Sequence, residues 1–306
     1  MADFEHLRVF VAVAEAGGFA PAARRLRLSP PAVTRAIAAL EHSLSARLLH
    51  RTTRLVRLTE VGERFLHDAR RILADLDEAE AAARGAHREP QGELAVTAPV
   101  LFGRLHVAPL VLDFLAQHPK VTARMLFVDR VVQLMDEGFD VALRIGPLPD
   151  SSFTAVRVGS VRRVVVAAPD YLARHGEPRT PAELPAHRAV GIAESGGGAA
   201  RWLFAAPGEA QPRETAQPVL PLTVNTLEVA IEAALAGHGL ARVLSYQVRE
   251  AIAAGRLRRV LRAFEPAPLP VHLLYPEGRQ AAAKVRAFVD FAARRLRGEA
   301  ALGEEG

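Results

Sequence analysis

The sequence predicts an α/β protein whose sheets are preceded by a small, mostly helical head and a long connecting helix. Three observations predict it. Short apolar-periodic helical segments fill the chain up to Thr59, apolar residues from Phe65 to Ala83 recur at spacings of 4, 3, 4, 3 and 4, and strand and helix patterns alternate from Gly92 onward.

The head begins with Phe4, Leu7, Phe10, Val11 and Ala14 at helical spacing, stopped by Gly17-Gly18. Pro21 suits the first position of a second helix, with Ala22, Ala23 and Leu26 on one face. Ser29 offers an N-cap before Pro30, and Val33, Ile37 and Leu40 form one apolar stripe. The four residues Leu26-Arg27-Leu28-Ser29 leave room only for a sharp reversal. Leu55-Val56-Arg57-Leu58 is strand-compatible and Arg51-Thr52-Thr53-Arg54 is turn-like, so a small β-wing is expected beside the helices.

Thr59 can cap the long helix, and Glu60 and Glu63 suit the positive end of its dipole. Its apolar residues Phe65, Ala69, Ile72, Leu76 and Ala79 have the alternation of a coiled-coil seam and are expected to make a dimer interface. The alternative is a helix packed lengthwise on its own domain. A break with Gly85, Pro90 and Gly92 follows. Beyond it come strands at Glu93–Ala98, Val121–Val128 and Asp140–Ile145, with helices at Phe102–Gln117 and Val131–Glu137. Further strands are expected at Arg163–Ala167, His187–Ile192, Val219–Val224 and Val271–Tyr275, and helices at Asn225–Ala236 and Arg279–Arg297. Such alternation argues a mostly parallel sheet covered by helices.

Composition narrows the class. The chain has 306 residues, half of them apolar, 24% charged and none cysteine. Disulfides, thiolate metal sites and cysteine nucleophiles are excluded, and a reducing cytoplasm fits. The start, Met1-Ala2-Asp3-Phe4-Glu5-His6, lacks the basic-then-apolar order of a secretory signal. Val107–Gln117 is interrupted by Pro109 and Asp113, so no membrane span is expected. The net charge is +5, and only Lys120 and Lys284 among the 39 basic residues are lysines. That arginine bias inflates the pI, so placement is the better guide. Residues 1–59 carry +5, residues 60–90 carry −3 and residues 91–306 carry +3. The basic excess sits at the head, as a nucleic-acid-binding module requires.

The head also has the pattern of a groove reader. Alanines at 22 and 23 let two helices approach closely, while Thr34 and Arg35 lie off the apolar stripe near the amino end of the second one. A recognition helix needs its amino-terminal turn outward for the major groove and its other side in the core.

Residues Phe10 to Glu41, with Leu48-Leu49-His50-Arg51-Thr52-Thr53-Arg54 and Val56-Arg57-Leu58-Thr59-Glu60-Val61-Gly62, resemble the winged helix-turn-helix of LysR-type transcriptional regulators. Gly92-Glu-Leu-Ala-Val-Thr-Ala-Pro99, Phe139-Asp-Val-Ala-Leu-Arg144-Ile-Gly146, Ala168-Pro-Asp-Tyr-Leu-Ala-Arg-His-Gly176 and Ala236-Gly-His-Gly239-Leu extend the resemblance over nearly the whole chain. Two departures stand out. The family commonly has glutamine where Pro30 stands and serine or threonine where Ala20 stands, so a base contact is not carried over to Pro30.

The resemblance implies an all-α-type winged helix-turn-helix domain at 1–59, a linker helix and hinge at 60–91, and an effector-binding domain at 92–306. That last domain is expected to have the two-lobed fold of periplasmic solute-binding proteins, with lobe I at 92–161 and 267–297 and lobe II at 162–266. DNA contact is expected at Pro31, Thr34, Arg35, Arg51, Thr52, Thr53 and Arg54. Ligands gather beyond the carboxyl ends of strands in open α/β sheets, which points to Thr97, Ala98, Pro99, Asp129, Arg144, Gly146 and Asn225 for an effector. Arg144 could meet an anion or pair with an acid such as Asp129, and Asn225 could equally be an ordinary N-cap. Trp202 is open between core, rim and ligand platform. The partners implied are double-stranded DNA, a small-molecule effector, RNA polymerase and further copies in a homodimer or homotetramer, with no cofactor.

Enzyme signals are weak. Ser195-Gly-Gly-Gly lacks the glycine two residues before a nucleophilic serine, and Gly237-His-Gly239 does not continue to a third glycine because Arg242 stands there. The eleven histidines form no helical metal-ligand pair. An exported solute-binding protein would leave residues 1–59 without a use.

Overall fold

The computed structural model describes residues 3–51, 56–83, 89–130, 132–134, 136–148, 153–193, 198–199, 201–205, 213–214, 217–276, 282–299 and 302–303. The chain divides into two compact units, Met1–Arg88 and Glu89–Gly306.

In the first unit, α1 (Phe4–Ala16) starts where the Asp3 carboxylate accepts the Glu5 N–H and ends at Gly17, whose φ of 65° favours glycine. Helix α2 (Phe19–Leu26) begins earlier than the sequence suggests. Gly18 is its cap residue, so Pro21 is the third helical residue and Ala20 lies inside the helix. Arg27, at φ 57°, closes α2 and turns the chain into α3 (Pro30–Leu44), where Ser29 Oγ accepts the Ala32 N–H. Phe10, Val13, Ala22, Ala23, Val33, Ile37 and Leu40 are buried together, which is what the small pair at 22 and 23 permits. Strands β1 (Leu49–Arg51) and β2 (Val56–Leu58) pair antiparallel as the wing; the turn between them lies outside the described residues.

Helix α4 (Glu60–Ala83), about 36 Å long at 1.5 Å per residue, opens on Thr59. The Thr59 hydroxyl accepts the Gly62 N–H at 2.9 Å and donates to the Arg47 carbonyl at 2.7 Å. Its amino-terminal half belongs to the head. Ala69 is fully buried there, and Phe65 packs against Phe10 with ring centroids 5.5 Å apart. Phe65 and Ala69 are therefore corrected from seam to head core, because a stripe serves its own domain as readily as a partner. Ile72 is exposed and Leu76 half-buried; the surroundings of Ala79 lie outside the described residues.

The second unit contains two five-stranded sheets of matching design. One has the order β4 (Val121–Phe127), β3 (Gly92–Ala98), β5 (Val141–Ile145), β14 (Leu269–Pro276), β6 (Phe153–Val161). The other has β11 (Val219–Val224), β8 (Arg188–Ile192), β12 (Leu240–Leu244), β7 (Arg163–Ala167), β13 (Arg258–Val260). In each, three strands run parallel and the fourth is antiparallel to its neighbours, so the sheets are mixed rather than mostly parallel. A further pair, β9 (Leu203–Phe204) and β10 (Arg213–Glu214), stands outside both. The chain crosses between sheets at residues 161–163 and 260–269, the connection a two-lobed domain requires.

Helices α5 (Val100–Phe102) and α6 (Ala108–Gln117) are continuous through a π-turn at Gly103–Val107. By length and composition Val100–Gln117 could cross a membrane, contrary to the sequence expectation. Its Leu101, Phe102, Val107, Leu110, Val111 and Phe114 nevertheless lie in the core. Helices α7 (Pro169–His175), α8 (Leu227–Leu235) and α9 (Ser245–Ala253) cover the second sheet, and α10 (Ala283–Arg297) the first. The expected helix at Val131–Glu137 is absent among its described residues. Val132 and Leu134 there, with Phe139, are buried over one face of the first sheet beside Ala95, Ala142 and Leu274. Trp202 is core, against Phe204.

Candidate nucleic-acid interface and ligand site

Helix α3 divides cleanly by face. Val33, Ile37 and Leu40 are buried, whereas Pro31, Thr34 and Arg35 are exposed. Thr34 returns its hydroxyl proton to the Pro30 carbonyl at 3.0 Å and keeps acceptor capacity outward. Arg35 has no hydrogen-bond or ion-pair partner among the described residues. The first two residues of α3 are prolines without N–H groups and the Ala32 N–H is bonded to Ser29, so the unpaired guanidinium itself, not the helix amides, is the phosphate contact this turn offers. Arg51 contributes its backbone to β1; its side chain, and Thr52, Thr53 and Arg54, lie outside the described residues.

Two acids that the sequence reading passed over hold this head in shape. Glu41 is buried, and its Oε1 accepts the N–H groups of Leu48 at 2.9 Å and Leu49 at 3.2 Å, tying the carboxyl end of α3 to the first wing strand. Its signal was available: position 41 is four residues from Ile37, so a carboxylate stands within the apolar stripe. Glu15 binds Arg25 at 2.7 Å and Arg70 at 3.1 Å, linking α2 and α4 to α1. Burial pushes its carboxyl up, and the two arginines together more than reverse this, leaving it below the usual carboxylate range.

In the second unit the predicted ligand residues separate into three groups. Ala98 is corrected. Alternation along β3 puts its methyl in the core, and its carbonyl accepts the Val128 N–H, so it offers a ligand nothing. Asp129 is bonded rather than poised, its Oδ1 accepting the Val100 N–H at 3.0 Å where the helix begins; it is not the partner of Arg144. Asn225 is exposed and precedes the cap residue Thr226, so the N-cap reading moves by one position. Pro99 stands at the start of α5, and Gly146, at φ 114°, donates its N–H to the Pro270 carbonyl.

Thr97 and Arg144 remain, and the structure brings them together on one face of the first sheet. Thr97 pairs with Ala142, two residues before Arg144 on the adjacent parallel strand. Arg144 Nη1 donates to the Leu143 carbonyl at 3.0 Å, while its Nη2 is buried without a partner. Burial holds this guanidinium below its ordinary range, with Glu137 acting in the opposite direction. In the second lobe, Arg242 donates to the Leu203 carbonyl at 2.7 Å, and burial, reinforced by Arg163, lowers it to about 10. Among the described residues no cluster of three or more His, Asp or Glu could hold a metal ion.

The chain is similar to known proteins along both of its parts. Residues 4–63 match the model of the bacterial regulatory helix-turn-helix protein, lysR family, and residues 87–297 match the LysR substrate binding domain. An HTH-type transcriptional regulator of Xanthomonas campestris pv. campestris is 36% identical over 296 residues, covering 96% of this chain and 86% of that one. The Escherichia coli HTH-type transcriptional regulator PgrR is 33% identical, covering 94% and 96%. Among solved structures, CrgA of Neisseria meningitidis, a LysR-type transcriptional regulator, is 31% identical with a TM-score of 0.61, covering 96% and 99%. The full-length Vibrio cholerae virulence activator AphB is 27% identical with a TM-score of 0.59, covering 95% and 98%. A helix-turn-helix head and, following it in the chain, a two-lobed α/β domain, matched along both parts, make this chain a member of the LysR family of transcriptional regulators.

Proposed function

We propose that this regulator binds duplex DNA through Pro31, Thr34 and Arg35 in the amino-terminal turn of α3, with Arg51, Thr52, Thr53 and Arg54 of the wing. The observation that carries this is the division of α3, with Val33, Ile37 and Leu40 in the core and the Arg35 guanidinium unpaired on the opposite side. Two heads would straddle an interrupted, roughly two-fold site, as symmetric dimers do. A small effector bound at the carboxyl ends of the strands, by Thr97, Pro99, Arg144 and Gly146, would change lobe closure and with it DNA binding and contact with RNA polymerase. The protein acts in the cytoplasm as a sensor without turnover. Its domains divide at 59/60 and 91/92, with lobes at 92–161 plus 267–297 and at 162–266.

The test is competition: full-length protein should enrich particular genomic fragments over random duplex, and the preference should change with ligand. Equal retention of all duplexes at every salt concentration would contradict it.

For self-association we propose the remainder of the seam on α4, the exposed Ile72 and the half-buried Leu76, together with Ala79. Ile72→Asp combined with Leu76→Asp should shift the sedimenting species toward monomer while the head core, which uses Phe65 and Ala69, stays folded. An unchanged dimer or tetramer would remove α4 from the principal interface.

A further inference from the structure

Among the described residues, four buried side-chain atoms of the first lobe have no hydrogen-bond partner: His106 Nε2 in the helix after β3 and, on the sheet itself, Thr97 Oγ1, Arg144 Nη2 and His272 Nδ1. Strand register places the last three together. Arg144 on β5 is opposite His272 on β14, and Thr97 on β3 is opposite Ala142, the preceding residue on the same face as Arg144. That face has two halves. Toward the amino end of β3 and β5, Ala95 and Ala142 with Leu274 are covered by Val132, Leu134 and Phe139. Toward the carboxyl end, where α/β sheets receive ligands, the orphaned polar atoms take over.

Carboxylates that could satisfy the guanidinium are committed elsewhere. Glu137 holds Arg130 through two bonds of 2.8 and 2.6 Å and accepts the Gln133 N–H as well. Asp129 accepts the Val100 N–H, and Asp140 the Ala95 N–H. The Arg130–Glu137 pair cancels in charge, so Arg144 stands as a net positive charge. Leaving a buried guanidinium unmatched is costly, and folded proteins rarely do so without a use. The atom types also agree. Arginine only donates, a threonine hydroxyl can donate, and a neutral histidine donates from Nδ1 in one tautomer. Burial, then Arg157, hold His272 below its ordinary range, which keeps that ring neutral. Arg157 on β6, in register opposite His272 and exposed, adds a second positive charge at the edge of this face, so three donors in a positive field match a group that only accepts and carries negative charge.

We propose that the effector carries a carboxylate or equivalent oxyanion, received in the first lobe by Arg144 with Thr97 and His272 as neutral donors. This rests on reading the carboxyl ends of the strands as the effector site.

The experiment uses full-length protein and measures its melting temperature with propionate, benzoate, succinate and inorganic phosphate, each organic acid beside its uncharged amide. At least one of the four anions should raise the melting temperature; among the organic acids the matching amide should not, and a response to phosphate alone would identify a phosphate-type ligand. Arg144→Met removes an unmatched charge, so without ligand it should melt about 2–4 °C higher and lose the anion response. Thr97→Val should melt at or above the wild-type temperature and need several-fold more anion for the same shift. A lower-melting Arg144→Met, an amide as effective as its acid, a variant that keeps the full anion response, or a wild type flat against all four anions would each overturn the proposal. An amide that stabilises the protein and alters DNA affinity would overturn the anion assignment while sustaining the sensor; failure of fragment enrichment would remove the regulator reading instead.

Discussion

The Arg35→Ala protein is expected to bind its operator with about 1–3 kcal/mol less free energy, roughly 5- to 150-fold more weakly, while its melting temperature stays unchanged. The side chain is exposed and unpaired, so removing it takes nothing from the head core. Its loss should reveal which kind of contact it makes. A phosphate contact releases counterions, so its removal lowers the slope of log affinity against log salt by about 1 and weakens all sequences alike. A base contact leaves that slope and instead relaxes preference at one position of the site. Titrations of operator and scrambled duplex at several salt concentrations separate these cases, and an unchanged isotherm for both would remove Arg35 from the interface.

The largest loss of stability is expected at a glycine. A Cβ on Gly62 would lie 2.0 Å from the Leu48 carbonyl oxygen and 2.9 Å from its carbon. That oxygen already accepts the Thr59 N–H at 3.0 Å, so the backbone at the start of α4 cannot retreat without breaking the junction with the wing. Gly62→Ala should therefore cost about 3 kcal/mol or more and lower the midpoint of the head's unfolding by roughly 12–24 °C. Gly255→Ala is the comparison. Gly255 has φ 68° with nothing within 4 Å of a Cβ, so only the left-handed backbone is penalised, by about 1–2 kcal/mol. Near-UV circular dichroism and calorimetry would rank them, and equal losses would show that the α4 junction yields more easily than its geometry implies.

The head was legible in the sequence because its signals are local. Ser29 caps α3 and Gly17 ends α1, and both are properties of a few consecutive residues. The start of α2 was misplaced because proline is tolerated throughout a first turn, so Pro21 marks a helix beginning without fixing its first residue. Packing was harder to read. The spacing of Phe65 and Ala69 is the same for a seam against a partner and a seam against α1, and only the fold distinguishes them. In the second unit, β6 and β12 are hidden in the sequence because each carries an arginine amid apolar residues: Arg157 is exposed, whereas Arg242 is half-buried and its guanidinium reaches the Leu203 carbonyl. The candidate site is half legible. Strand ends indicated Thr97 and Arg144, but pleating sent Ala98 to the core, and His272 became visible only through its register opposite Arg144, 128 residues away in sequence.

The proposed DNA recognition requires the amino-terminal turn of α3 to enter the major groove. Methylation interference addresses this directly, because dimethyl sulfate marks guanine N7 in the major groove and adenine N3 in the minor groove. Guanine modification should block binding at two clusters separated by whole helical turns, and at least one of these positions should lose its effect in the Arg35→Ala protein. Interference confined to adenine N3, or none at any base despite tight binding, would contradict it.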